Sequence, residues 1–458
     1  MAFIRKIKKG NSTYLVKVES YRQDGKVKQR VLEYLGKEEN GKAVRKRQTK
    51  DYNISKVTQF LDSFVIKDVS DKIGLSKMLN KIYKPIMTLI LSHMIEKISI
   101  YKIPVWLQRT DILNILKLKK ITSNELYNAL TELSQIDFDS IQMSINSFFR
   151  KLEDDNKSAV LDITDTYFNG SKANWKSRRG KDGKYNKLIQ IALAVSFTSG
   201  FPIMHKVYEG NTSNVKIFED MINDLKVLGY ESIIIDRGMC SKKNIKNIQD
   251  YEFKSILGMR LTTVIGRDYL SKISRDEIFT KQCRVQLKAT NVYIKSFDYM
   301  DGKLIAVFNP NIEVAKKEKE MDIVKKNKLS KYAGYSLIYT NTTLDEIEVV
   351  RKYFEKDIVE RSFKKLKNPI SLQPLRLSNL EHIKSHIKVC YLAYCIYSYI
   401  EYKVKALKIS ATEALYELNG GYKVYLEDKK SNKVIEKVVT LSKKQEQILS
   451  SLNVVYNF

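Results

Sequence analysis

Cysteine, proline, tryptophan and histidine are scarce in this sequence, with 4, 6, 2 and 4 of them among 458 residues. The cysteines are Cys240, Cys283, Cys390 and Cys395, and no two of them form a CxxC pair. This spacing argues against a disulfide framework and against a zinc ribbon. His382, His386 and Cys390 recur every four residues, as a metal site on a helix requires, but the apolar run around them favours a buried packing helix.

Long apolar runs are also missing. No stretch approaches the roughly 18 consecutive apolar residues of a transmembrane helix, and the opening segment, MAFIRKIKK, has no apolar signal core. We therefore expect a cytoplasmic, nucleoid-associated protein without a membrane partner. The hydrophobic content of 43% is that of a globular protein, and the length predicts roughly two to four domains.

Acidic residues are much fewer than basic residues. The chain has 81 Lys and Arg against 52 Asp and Glu, a net charge of +29 and a pI near 9.6. Such an excess favours a polyanionic partner, above all nucleic acid. The alternative is compositional drift, because the chain is also rich in the Lys, Ile, Asn and Tyr that an AT-rich genome encodes. The charge therefore supports a nucleic-acid partner without proving it.

The segment YFEKDIVERSFKKLK, residues 353–367, places Tyr353, Glu360 and Lys367 seven residues apart. A helix turns about 100° per residue. These side chains are therefore predicted to line one face of a single helix, with Lys356 beside them. A carboxylate among cations suits metal and phosphate chemistry, and a solvated face with i,i+4 ion pairs is the alternative.

Two further acids lie on predicted strands. The segment AVLDITDTYF, residues 159–168, alternates and is rich in β-branched residues, which predicts a strand with Asp162 and Asp165 on opposite faces. The segment SIIIDRGM, residues 232–239, is an apolar run that ends in Asp236, typical of a buried strand whose carboxyl end presents an acid. A turn-forming Asp is the alternative at either position.

In chain order, these motifs resemble those of the DDE transposases of bacterial insertion sequences. The spacing of Tyr353, Lys356, Glu360 and Lys367 is similar to the branch with a Tyr-Arg-Glu-Lys signature around the catalytic Glu. The chain departs once, because Lys356 stands where the family usually has Arg, and Lys lacks the bidentate fork of Arg.

Other segments extend the resemblance over roughly residues 155–405. The Asp162 strand and the IDRGM motif around Asp236 resemble the family's first and second Asp motifs. EGNTS at 209–213 and LRLSN at 375–379 resemble its flanking segments.

The resemblance implies an α/β fold. It has an RNase H-like catalytic core (a mixed sheet flanked by helices), a β-rich insertion between the second Asp and the Glu, and an N-terminal helical region. Without the resemblance, the order of predicted strands and helices supports only an α/β fold with a mixed sheet. The predicted regions are a small β region (1–50), a helical candidate DNA-binding domain (51–152), the first part of the core (153–260), the insertion (261–343), the second part of the core (344–407), and a C-terminal hairpin and helix (408–458). Within the helical region, Ser123 is the predicted cap of one helix.

The same resemblance assigns Asp162, Asp236 and Glu360, rather than Asp165, as catalytic residues and metal ligands. Carboxylates suit Mg²⁺ (or Mn²⁺), and two such ions about 4 Å apart can serve phosphodiester chemistry. The expected DNA-binding residues are Tyr353, Lys356, Lys367, Arg237, Arg178, Arg179 and Lys181. The last three lie in the basic, Gly-spaced loop 171–184, for which a solvated hairpin tip is the alternative.

The function implied is metal-dependent cleavage at insertion-sequence ends and transfer of the 3′-hydroxyl into target DNA. The partners would be double-stranded DNA, with its terminal inverted repeats and target, and a second copy of the chain in a homodimer assembled on DNA. Two alternatives remain: a nuclease or resolvase on the same fold, and a domesticated DNA-binding relative that does not transpose.

Overall fold

The computed structural model describes residues 2–10, 12–39, 41–44, 52–153, 157–167, 177–179, 185–287, 290–321, 332–368, 370, 372, 377, 379–429, 431 and 433–455. The chain divides into two compact units, Met1–Val57 with Val424–Lys437, and Thr58–Lys423 with Val438–Phe458. Within the described part, no helix is both long and apolar enough to cross a bilayer.

The strands are β1 (Ala2–Lys9), β2 (Ser12–Gln23), β3 (Lys26–Glu39), β4 (Lys42–Val44), β5 (Tyr52–Gln59), β6 (Ser158–Tyr167), β7 (Ser177–Arg179), β8 (Tyr185–Ser196), β9 (Pro202–Glu209), β10 (Ser232–Ile235), β11 (Lys254–Met259), β12 (Arg284–Leu287), β13 (Thr290–Tyr299), β14 (Gly302–Phe308), β15 (Tyr335–Thr340), β16 (Tyr422–Asp428) and β17 (Val434–Val438).

The helices are α1 (Leu61–Ile73), α2 (Leu75–Leu79), α3 (Tyr83–Ile95), α4 (Ile103–Trp106), α5 (Ile112–Ile115), α6 (Ser123–Gln135), α7 (Phe138–Arg150), α8 (Asn214–Val227), α9 (Lys242–Asp250), α10 (Val264–Ser271), α11 (Arg275–Ile278), α12 (Pro310–Met321), α13 (Glu346–Glu355), α14 (Asp357–Lys367), α15 (Leu380–Val404), α16 (Ala411–Asn419) and α17 (Lys443–Ser451).

The smaller unit contains the antiparallel sheet β1-β2-β3-β4. Asp24 and Gly25 join β2 to β3 with φ of 52° and 72°. Two positive φ angles are the type I′ geometry that an Asp-Gly pair favours in a hairpin. Leu15, Val16 and Val18 of β2 are buried and form the apolar part of this sheet.

The larger unit is built on a mixed sheet of ten strands in the order β12-β13-β14-β15-β11-β10-β6-β8-β7, with β9 paired to β8. β10 runs parallel to its neighbours β6 and β11, whereas β8 runs antiparallel to β6. The fold is therefore α/β with a large mixed sheet. The strands between Asp236 and Glu360, β12 to β15, extend this same sheet rather than forming a second one.

The strands bury alternate residues against helices on both faces of the sheet. Val160 and Ile234 belong to a core cluster that includes residues of α3, α14 and α15. Leu161 and Ile235 belong to another cluster, with residues of α8 and α9. Because the side-chain period of a strand is two, the residue after Leu161 or Ile235 returns to the α14 face.

Two local predictions are wrong. The segment 353–367 is not one helix, because α13 ends at Glu355 and α14 begins at Asp357. The main chain closes tight turns at this break, with Lys356 N donating to Tyr353 O and Val359 N to Lys356 O. The cap of α6 is Thr122 rather than Ser123, because Glu125 completes a reciprocal capping box only with Thr122.

Candidate active site

Two of the predicted acids lie side by side on adjacent interior strands of the large sheet. Leu161 of β6 pairs with Ile235 of β10 in parallel register, so the next residues are Asp162 and Asp236 on adjacent strands. Neighbouring strands are about 4.8 Å apart, and paired residues share a face. The alternation described above puts both carboxylates on the α14 face.

Helix α14 brings the third acid to this face. Val359, Phe363 and Leu366 are buried and hold the helix against the core, while Glu360, about 100° around the helix from Val359, is exposed. At the last turn of α14, Lys367 Nζ donates to Thr164 Oγ1 at 2.7 Å and to the main-chain oxygen of Asp165 at 3.4 Å. This contact fixes the helix to β6, two residues beyond Asp162.

Tyr353 of the last turn of α13 and Lys356 at the break between α13 and α14 both contact Asp236. Tyr353 donates its hydroxyl to Asp236 Oδ1 at 3.2 Å, and Lys356 Nζ lies 3.2 Å from the same oxygen. Burial by itself raises the pKa of Asp236, but the Lys356 ammonium, the main chain of Arg237 and the Tyr353 hydroxyl lower this pKa below its ordinary value. The carboxylate therefore stays ionised at neutral pH, as a metal ligand must.

The Tyr353 ring is closely enclosed. It is buried, and burial together with the Asp236 carboxylate raises the pKa of its phenol. Gly258 of β11 lies against its hydroxyl: a Cβ at position 258 would be 2.1 Å from Tyr353 Oη and 3.0 Å from the main-chain nitrogen of Arg237. Only a glycine at this position leaves room for Tyr353 to reach Asp236.

A surface cavity of about 300 Å³ opens beside these residues. Asp236, Glu360, Arg237 and Lys356 line it, so two of the predicted acids share it with two cations. It is also lined by Tyr335 and Ser336 of β15 and by Asp357 of α14, which sequence reasoning missed. Asp357 was detectable, since it lies three residues before Glu360 on the same helix face; it pairs with Arg361 at 2.6 Å.

The predicted DNA-binding residues differ in their exposure and in their contacts. Arg237 is exposed, whereas Tyr353 is buried and bonded to Asp236 rather than open to solvent. The main chain of Arg178 and Arg179 belongs to β7, which pairs with β8. Their side chains, and Lys181 as a whole, lie outside the described residues.

The three carboxylates suit a divalent metal ion that prefers oxygen ligands. Asp162, Asp236 and Glu360 offer only carboxylate oxygens, and such ligands are the choice of Mg²⁺ and Mn²⁺. The side chain of Asp236 is 40% exposed, so an ion can keep part of its water shell there. The arrangement can serve hydrolysis or transfer at a phosphate ester.

Two family models match parts of the chain. Residues 154–396 match the family described as "Transposase DDE domain", and residues 4–54 match "IS1634 family transposase, N-terminal domain". No curated protein matches the chain. Among solved structures, the cryo-EM structure of the piggyBac transposase synaptic complex with hairpin DNA is similar at 12% identity and a TM-score of 0.44, over 78% of this chain and 76% of that one.

Proposed function

Since the chain belongs to the DDE-domain family and is a DDE-type transposase of an insertion sequence, we propose that it cleaves DNA at the element's ends and transfers the 3′-hydroxyl into target DNA. One observation carries the proposal. Asp162 and Asp236 are strand neighbours, and Glu360 lines the same cavity as Asp236. The proposed working form is a homodimer assembled on double-stranded DNA.

The catalytic core proposed is RNase H-like. Three long strands, β6, β8 and β9, are followed by α8, β10, α9 and β11, which is the chain order of that fold. The strands β12 to β15 would then be the insertion between the second Asp and the Glu. Their continuation of the central sheet supports a rigid link between the insertion and the acids.

Asp162, Asp236 and Glu360 are the proposed holders of Mg²⁺ or Mn²⁺, as two ions. Bound there, the ions would activate the attacking oxygen and neutralise charge on the leaving oxygen. Neighbouring side chains of the protein hold these acids in position. Tyr353 and Lys356 orient the Asp236 carboxylate, and Lys367 holds α14 over β6.

We assign phosphate binding to the positively charged side chains beside the three acids. Arg237 and Lys356 line the cavity, and Arg237 is exposed and has a planar fork suited to a phosphate. Lys367 keeps its proposed phosphate role beside its contact with Thr164. Tyr353 we assign instead to positioning, because it is buried against Gly258 and donates to Asp236.

The test is end cleavage and strand transfer on a short duplex that carries the element's terminal repeat, with Mg²⁺ and with Mn²⁺. Asp162→Asn, Asp236→Asn and Glu360→Gln should each abolish both reactions while DNA affinity stays within a few-fold. Asp165→Asn is the matched control, because strand alternation turns this residue to the opposite face. Cleavage retained in any one of the three variants would remove that residue from the site.

A further inference from the structure

Three side chains of types that can ligate a metal lie close together between α3 and α15. His93 of α3, His386 and Cys390 each bring a ligand atom to within 4.8 Å of the other two. His386 and Cys390 are buried, and His93 is partly exposed. The sequence spacing suggested His382 as the third member, but His382 turns away and hydrogen-bonds to Thr131 Oγ1 at 2.9 Å.

The ligand atoms already converge. Cys390 Sγ lies 3.6 Å from His386 Nε2, because the two residues are one helical turn apart on α15. The rings of His93 and His386 meet edge to face with centroids 4.7 Å apart. Tetrahedral zinc needs ligand atoms about 3.3–3.8 Å apart, given bonds of 2.0–2.3 Å. Side-chain adjustments of about 1 Å would therefore close the site.

Main-chain oxygens orient the two rings. His93 Nδ1 lies 3.2 Å from Ile370 O, and His386 hydrogen-bonds with the main chain of Leu372. A ligating histidine usually donates its other ring N–H to such a carbonyl, which sets its tautomer and its aim.

We propose that His93, His386 and Cys390 bind one structural Zn²⁺ ion, with a main-chain oxygen or a water as the fourth ligand. Thiolate and imidazole select zinc over the Mg²⁺ that carboxylates prefer. On binding, the Cys390 S–H bond breaks, a Zn–S bond forms, and the proton leaves to solvent without any change of redox state.

The ion would connect the helical region to the element that carries the third acid. Ile370 N donates to Lys365 O and Leu372 N to Leu366 O, so the segment that orients both histidines also closes the C-terminal end of α14. A metal held by α3 and α15 would thus fix the exit of the Glu360 helix. This role is independent of whether the chain cleaves or transfers DNA.

Cobalt titration of the chelator-treated, full-length protein tests the proposal, because Co²⁺ bound to thiolate has a charge-transfer absorption that carboxylate ligation lacks. The expected result is a band that saturates at one Co²⁺ per chain, is displaced by Zn²⁺ and is unaffected by excess Mg²⁺. Cys390→Ser should abolish the band, and His93→Gln should weaken Co²⁺ binding at least roughly tenfold. Zn²⁺ should raise the melting temperature of the unaltered protein but not that of Cys390→Ser.

Control variants test whether the Co²⁺ band arises from these three residues. Cys395→Ala removes another buried thiol of α15, and His382→Ala removes the neighbouring imidazole; both should keep the band. Glu360→Gln should also keep it, so a failure of the proposed DNA chemistry leaves this test intact. A folded protein without the band, or a band that survives in Cys390→Ser, would overturn the zinc site.

Discussion

Gly258→Ala should damage the active site without altering any group that bears charge or ligates metal. A Cβ at this position would lie 2.1 Å from Tyr353 Oη and 2.9 Å from Cζ. Real Cβ atoms do not approach other atoms so closely, so the Tyr353 ring has to move. Its hydroxyl then leaves Asp236, to which it donates at 3.2 Å.

Two costs determine how far Gly258→Ala lowers the free energy of unfolding. Overpacking a buried position costs about 1–3 kcal/mol, and losing a hydrogen bond to a charged acceptor costs about 1.5–3 kcal/mol. The two costs overlap, since moving the ring relieves the clash. We therefore expect the free energy of unfolding to fall by about 2–4 kcal/mol in urea melts, with a matching loss of end cleavage.

A double-mutant cycle identifies the cause. In a Tyr353→Phe background the 2.1 Å contact is gone, so Gly258→Ala should cost less there, with an interaction energy of about 1 kcal/mol or more. Gly238→Ala is the control, because its Cβ would meet only Asn214 Nδ2, at 3.5 Å. A Gly258→Ala protein that melts and cleaves like the unaltered one would refute the enclosure of Tyr353.

Three other outcomes are expected. Phe363→Ala should lower the free energy of unfolding by about 3–5 kcal/mol because its ring is buried, and Phe354→Ala, with a ring 38% exposed, should cost much less in the same urea melt. DNA affinity measured against log salt should fall linearly with a slope of roughly −0.9 per phosphate contacted; a flat line would contradict phosphate binding. The lowered pKa of Asp236 means that its ionised form stabilises the fold above the unfolded pKa and stops doing so as pH falls through the folded pKa. The stability difference from Asp236→Asn should therefore shrink in acid, as urea melts at neutral and acidic pH would show.

The sequence predicted two central strands correctly from their patterns of apolar residues. The apolar run before Asp236 and the alternation around Asp162 predicted β10 and β6, because such strands need only β-branched and apolar residues. The pairing of these strands was not visible in any pattern. Only the structure gives this pairing, since register depends on contacts between distant segments.

The helix around Glu360 shows where sequence reasoning stops. No glycine or proline marks the break at Lys356, so periodicity predicted one continuous stripe. The break is accompanied by tertiary contacts that periodicity does not encode, since Tyr353 and Lys356 both reach Asp236. The pairing of His93 with His386 was equally hidden, since 292 residues separate them and only folding brings α3 against α15.

The order of the acids along the chain has a consequence for its synthesis. Asp162 and Asp236 become neighbours once β6 and β10 have paired, but 123 residues lie between Asp236 and Glu360. Helix α14 is also held by the later α15, with Lys365 Nζ 3.3 Å from Glu401 Oε1. At about 5–20 residues per second, a ribosome needs about 6–25 s to pass from the second acid to the third. A nascent chain therefore carries an incomplete set of acids until α14 and the α15 that holds it have been made.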